Sequence, residues 1–278
     1  MSYYVIDNFI SEENCENLIK DSLFINDKDY IKTHNDKRLL LASTNIHFKN
    51  LIEKSIHWKN LSNKLDNKDF LDFFVKKFNV KKNFYFFKYY SDSKNNDNNN
   101  YLTYKKLGLL QLNKISTKAL FKYTLYRIYN SLNKFVKCGL INLTKGQPVE
   151  LLYDYSKAIN GYKNKVHSDT YHRVFIFLLY LNKLETNSGG GNLKIFKNIS
   201  NTNSFLPKKN DYELCESISP KPGRIVLMIN DNKYFHSVDE ISNLNGTRNF
   251  IYGGFTILAG KNPFQLNNLM PTGLHLYN

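Results

Sequence analysis

Residues Val174 to Leu181 read VFIFLLYL, an unbroken apolar run between polar turns. A short continuous run of this kind predicts a strand buried on both of its faces. Other short strands surround it. Val149 to Tyr155 (VELLYDY) alternates in part, as a strand does. After the buried run come Gly189-Gly190-Gly191 and a short strand, Asn192 to Phe196. A polar excursion over 197–217 follows. Pro222-Gly223 turns the chain into another strand, Arg224 to Ile229, and Thr247 to Leu258 (TRNFIYGGFTIL) closes the series. Many short strands separated by Gly, Pro and Asn turns predict a mainly β fold with flanking helices (α+β), an antiparallel double-sheet barrel of the jelly-roll kind. No internal repeat is visible.

The N-terminal part reads differently. Tyr3 to Ile6 predicts a strand, and Ser11 followed by Glu12 and Glu13 is a helix start, with a capping hydroxyl and acids in the first turn. Cys15, Leu18, Ile19 and Leu23 then make one apolar helix face. Further helices are expected over Phe48 to Trp58 and Phe70 to Phe78, the latter with a stripe of Phe70, Phe73, Phe74 and Phe78. Such an aromatic stripe can stack bases, but at helical spacing it reads as core. Phe84 to Tyr90 predicts a strand. Ser91 to Asn100 (SDSKNNDNNN) is a polar surface loop, and Thr117 to Val136 has a helix-compatible pattern.

Composition narrows the class. With 278 residues, 42% of them hydrophobic, the chain can bury a large core. No apolar run approaches the ~20 residues of a membrane span. The N-terminus lacks the basic and apolar regions of a secretory signal. Cys15, Cys138 and Cys215 are sparse and form no CxxC pair, which fits free thiols in a reducing cytoplasm. The formal net charge is +15. A polyanion partner would explain it. So would codon composition, since Lys, Asn, Ile, Tyr and Phe are abundant throughout and the lysines form no block. A basic rim around a site for an acidic substrate is a third reading.

Chemistry concentrates at a few positions. His167 and Asp169 are separated by Ser168, and residues i and i+2 of a strand share a face. They can offer an imidazole and a carboxylate to one ion. His236, just past the turn after Ile229, can supply a third ligand. Two imidazoles and one carboxylate on one side of a metal leave the other side open, an arrangement that suits non-haem Fe(II). Any one of these residues could be an ordinary polar loop residue. Their order is the signal: HxD, buried strand, Gly-rich turn, Pro-Gly, strand, His, then Arg248 about a dozen residues later. A guanidinium directed into a barrel requires an anion, and a carboxylate answers it bidentately. Tyr155 and Thr256 are candidate hydroxyl donors beside it. His172 reads as a surface or supporting residue, and His34, His47, His57 and His275 are given no role.

At these residues the chain resembles the 2-oxoglutarate- and Fe(II)-dependent dioxygenases, in particular their prolyl-4-hydroxylase-like branch. Val5 to Cys15 is similar to that branch's opening strand, "DNFLS" turn and helix. Tyr155, Gly161-Tyr162, His167-Ser168-Asp169, Arg173 to Asn182, Gly189 to Leu193, Pro222-Gly223-Arg224, His236-Ser237-Val238 and Thr247-Arg248 resemble its later motifs. The resemblance covers 1–25 and about 149–258. It implies a double-stranded β-helix, with His167, Asp169 and His236 holding iron as the catalytic centre. Arg248 would bind 2-oxoglutarate, and Tyr155 would be a second contact to it. Fe(II), 2-oxoglutarate and O2 would be required, with ascorbate as an accessory reductant. The collagen-type enzymes carry lysine where Arg248 stands, nearer the last histidine, and have a shorter tyrosine-to-HxD loop. Both departures point away from collagen. Asp169 argues against a halogenase, which needs a small residue there.

The expectation is a single catalytic domain over 1–278. Within it, 1–84 would form the N-terminal strand and supporting helices, 85–148 an insertion or lid, and 149–260 the β-helix core. The expected activity is hydroxylation of a small molecule, a sugar-linked intermediate or a peptide side chain, with release of succinate and CO2. Oxidative demethylation of nucleic acid and a non-catalytic cupin-type binding protein are the alternatives.

Overall fold

Which residues face which layer is decided by strand alternation. The computed structural model describes residues 2–86, 146–183, 188–258 and 262–265. Along its length run β1 (Tyr3–Ile6), α1 (Glu12–Asp21), β2 (Ile31–Thr33), β3 (Arg38–Ala42), α2 (Ile46–Lys54), α3 (Ile56–Leu65), α4 (Lys68–Lys77) and β4 (Phe84–Phe86). They are followed by β5 (Gln147–Ala158), β6 (Asn164–His167), β7 (Arg173–Tyr180), β8 (Leu193–Asn198), β9 (Tyr212–Ile218), β10 (Ile225–Ile229), β11 (Tyr234–Val238) and β12 (Arg248–Ile257).

The described strands form two sheets. The larger has the order β1-β10-β7-β12-β5-β3-β2, with β4 added in parallel to β5. The smaller has the order β6-β11-β8-β9. Odd-numbered residues of β7 (Phe175, Phe177, Leu179) face the helices. Even-numbered ones (Ile176, Leu178, Tyr180) share a second buried cluster with Leu193, Ile195 and Ile218 of the smaller sheet. The large sheet is therefore a middle layer, and the apolar run 174–181 is buried on both sides as expected.

Helix α4 sets Phe70 against Phe177 and Phe74 against Phe175 and Phe255. Burying each of these rings contributes roughly 2–3 kcal/mol. Trp58 Nε1 donates to the Leu18 carbonyl at 2.9 Å, tying α3 to α1. At the sheet edge β1 pairs with β10. Asp7 bonds Arg224 Nε at 2.6 Å and Lys221 Nζ at 2.9 Å beside it. Gly223 (φ +71°) is required there, because a Cβ would come within 2.1 Å of the Ile10 carbonyl oxygen.

Several expectations are corrected. The helix expected over 48–58 is two helices, α2 and α3. Ser55 adopts an extended conformation between them, and its side chain accepts from Trp58 N–H. Leu23 leaves the apolar face of α1 and is 72% exposed, because the chain tightens into a 3-10 turn at Ser22–Phe24. The polar stretch 197–217 runs into β9, an edge strand with a single buried residue, Ile218. The N-terminal region does more than support: β2 and β3 extend the large sheet along β5. Cys15 and Cys215 are free thiols, and Cys138 lies outside the described residues. So does most of the segment read as a lid, including the loop 91–100 and the helix over 117–136. Among the described residues no helix is long and apolar enough to cross a membrane.

Candidate metal centre

Strand pairing brings the two histidines together. His236 lies within β11, just past the turn at 232–233, and its cross-strand partner on β6 is His167. The rings are 4.3 Å apart between centroids. Asp169 is past the end of β6, in a loop held from β10's end by one side chain. Asn230 Nδ2 donates to the carbonyls of Asp169, Thr170 and Arg173 at 3.2, 3.0 and 2.8 Å. Ser168 N–H donates to the Phe205 carbonyl at 3.0 Å and anchors the other side of that loop. Asn230 escaped the sequence reading, since a lone Asn at a strand end looks like any turn residue.

One ligand atom from each of His167, Asp169 and His236 lies within 4.8 Å of the others, a spacing that could hold one metal ion. The protonation states suit that use. His167 Nδ1 is 2.7 Å from the Lys165 carbonyl, which can only accept, so Nδ1 is the donor nitrogen and Nε2 is the one left for an ion. Burial, reinforced by the neighbouring His167, pushes the His236 imidazolium down to about 3. The ring is therefore neutral. Burial alone would raise Asp169, but Arg173, His236 and His167, with the hydrogen bond from Tyr252, bring it below the usual carboxylate range. Asp169 is thus ionised, with its side chain 11% exposed.

Three arginines enter the space between the sheets. Arg38 pairs with Asp154 at 2.7 Å, and Arg173 approaches Asp169 at 3.8 Å. Arg248 is 1% exposed and has no carboxylate partner among the described residues. Its Nε and Nη1 are buried without a hydrogen-bond partner, and so is the hydroxyl of Tyr180. The Arg248 guanidinium lies 5.0 Å from the Tyr180 ring centroid. An unpaired buried cation is costly, and these orphaned groups fit a bound carboxylate.

Tyr155 is not part of this constellation. Arg248 pairs with Ala158 across the β5–β12 ladder, so those two share the inner face. Tyr155 is three residues away on β5 and therefore points to the opposite face. There its hydroxyl donates to Asn249 Oδ1 at 2.7 Å, and its ring packs on Trp58. Tyr180 stands beside Arg248 instead. Thr256 is eight residues along β12 from Arg248, roughly 27 Å in extended strand, and opposite Arg173. His172 is exposed, and His34 packs edge-on against Tyr162. His275 is outside the described residues.

Comparison with known proteins agrees with this geometry. Residues 152–254, which contain all three potential ligands and Arg248, match the family model of the 2OG-Fe(II) oxygenase superfamily. The chain carries a 2OG-Fe(II) oxygenase domain. It is an oxidoreductase of the dioxygenase type, and the family's chemistry calls for Fe(II), 2-oxoglutarate and O2. Solved structures similar to this oxygenase include a prolyl-4-hydroxylase from Pseudomonas putida, with 11% identity, 92% of each chain covered and a TM-score of 0.40. A viral collagen prolyl hydroxylase from Paramecium bursaria Chlorella virus-1, in complex with 2OG, shares 12% identity over 92% of this chain and 96% of its own, with a TM-score of 0.44. For a prolyl 4-hydroxylase from Phytophthora capsici the values are 12%, 92%, 59% and 0.49. Scores this low add nothing to the family match. Among curated proteins no sequence matches the oxygenase.

Proposed function

We propose that the chain is a hydroxylase of the prolyl-4-hydroxylase-like branch, built on a double-stranded β-helix. In this reading His167, Asp169 and His236 hold Fe(II), and Arg248 with Tyr180 anchors the distal carboxylate of 2-oxoglutarate. The observation that carries it is the convergence of one carboxylate and two imidazoles at one point, with a buried, unpartnered guanidinium reaching into the same space between the sheets. The first set suits a non-haem iron with open positions. The second suits a dianionic co-substrate. When bound, iron and 2-oxoglutarate together supply O2 activation, which ends in succinate, CO2 and a hydroxylated small-molecule or peptide product.

The protein's own contributions follow from its groups. The Lys165 carbonyl keeps the His167 proton on Nδ1 and orients its ring. Burial of His236 keeps its lone pair available. Tyr180 and Arg248 offer O–H and N–H donors to one carboxylate. Phe250, with the Arg248 guanidinium 5.2 Å from its ring centroid, holds that guanidinium in place and keeps water from it.

The test is uncoupled turnover. Purified protein with Fe(II), 2-oxoglutarate and O2 should release succinate even without substrate, and His236→Ala should release none above background. Absence of succinate from the wild type would leave a binding protein.

A further inference from the structure

The inner face of β12 presents Arg248, Phe250 and Tyr252 at alternate positions. Tyr252 is held between two cations: the Arg173 guanidinium is 5.0 Å from its ring centroid and that of Arg38 is 5.8 Å away. Arg38 comes from β3, far outside the segment that matches the family. It is itself fixed, with Nε donating to Ser156 Oγ at 2.9 Å and Nη2 to Asp154 Oδ1 at 2.7 Å. Ser156 Oγ also donates to Asp154 Oδ1, at 2.6 Å. The Tyr252 hydroxyl in turn lies 2.5 Å from both oxygens of Asp169. Among the described residues it is the one hydrogen-bond donor to that carboxylate. Arg173 Nη1 is 3.8 Å away, an ion-pair distance but too long for a hydrogen bond.

We propose that Tyr252 is a positioning residue for the metal centre, orienting the Asp169 carboxylate through its hydroxyl, and that Arg38 of the N-terminal hairpin orients Tyr252. This rests on the reading that His167, Asp169 and His236 hold a metal. A carboxylate rotates about a broad sp³–sp² torsion, so an unrestrained Asp169 would sample poor ligand orientations. A phenol that contacts both oxygens fixes the carboxylate's rotation about that torsion. Cations against its ring keep the phenol where the carboxylate needs it. Groups that orient ligands in this way typically change metal affinity about 10–100-fold when removed.

The experiment is a titration of metal-free protein with Co(II), followed by visible d–d absorption, with thermal unfolding recorded for each variant. Wild type should bind one Co(II), and His236→Ala should bind none. Tyr252→Phe keeps the ring and loses only the hydroxyl. It should bind Co(II) about 10–100-fold more weakly, with a shifted absorption band and a near-wild-type unfolding midpoint. Arg38→Met should weaken binding by a smaller factor. The double variant should be no weaker than Tyr252→Phe alone, because both changes act through one bond. Wild-type affinity and spectrum in Tyr252→Phe would overturn the proposal while leaving the metal reading intact. Additive losses would overturn the part given to Arg38. Failure of the wild type to bind Co(II) would remove both the proposal and the metal reading. If Tyr252→Phe does not fold, 3-fluorotyrosine at 252 keeps the hydroxyl in place and makes it a stronger acid. An unchanged Co(II) band and affinity in that protein would equally overturn the proposal.

Discussion

His167 and His236 are direct cross-strand partners on β6 and β11, with their ring centroids 4.3 Å apart. The ladder that builds the smaller sheet thus also brings two of the three potential ligands together. A substitution at either histidine should spare the sheet, because the backbone pairing does not depend on the ring. His236→Ala should fold, with an unfolding midpoint close to wild type. It should lose Fe(II) binding by more than the roughly 10–100-fold typical of supporting residues. Metal titration beside thermal melts checks both halves, and a His236→Ala protein that retains wild-type affinity would refute the ligand assignment.

Arg248→Met removes a buried charge with two unpartnered nitrogens. Truncating one side of a buried charged pair costs about 2–5 kcal/mol of binding, so the 2-oxoglutarate requirement should rise roughly 30-fold or more. Metal affinity should stay near wild type. Because an unpaired buried guanidinium carries a desolvation cost, the variant should be no less stable than wild type without co-substrate. Co-substrate titrations at saturating Fe(II) provide the measurement. Unchanged dependence would mean that the carboxylate binds elsewhere.

Tyr155→Phe separates the two faces of the large sheet. The lost hydroxyl bonds Asn249 Oδ1 at 2.7 Å on the helix side. Leaving that buried acceptor short of a partner should cost about 1–3 kcal/mol of stability, read as a lower urea midpoint. The 2-oxoglutarate requirement should not change. A selective rise in that requirement at unchanged stability would return Tyr155 to the active site.

Strand parity explains why Tyr155 lies on the face away from Arg248, although the three potential ligands could be picked out from the sequence. All of β5 except Leu152 and Asp154 is buried. With both faces covered, no alternation in the sequence says which residues face the metal side. Only the ladder to β12 decides it. The apolar run 174–181 was legible for the same physical reason, because a strand covered on both sides is apolar at every position. Strand β9 was invisible because an exposed edge strand can be as polar as a loop, and five of its seven residues are exposed. The triad was legible because its chemistry needs particular residue types in a particular order. Asn230 and Tyr252 serve it with residue types that are common everywhere.

Acid should test the N-terminal clasp. Arg224 first, then Lys221, hold the Asp7 carboxyl well below the usual carboxylate range. A depressed folded pKa contributes stability that is present above the unfolded value of about 3.9 and lost as pH falls toward the folded value. Asp7 is partly exposed, so solvent screening limits the contribution to about 1 kcal/mol or less. Asp7→Asn should therefore be slightly less stable than wild type at pH 7, with the gap closing below pH ~4. Urea melts of both proteins across that range supply the check, and a gap that does not depend on pH would rule the clasp out.

The middle-layer position of β12 has a practical corollary. Phe250 and Tyr252 face the chemistry, whereas Asn249, Ile251 and Phe255 face the helix-side packing. A saturation-mutagenesis map of this strand should beat with a period of two. One set of positions would lower the yield of folded protein, and the interleaved set would give well-expressed protein that turns over poorly. Screens that score abundance alone would miss every second residue of the strand that matters most.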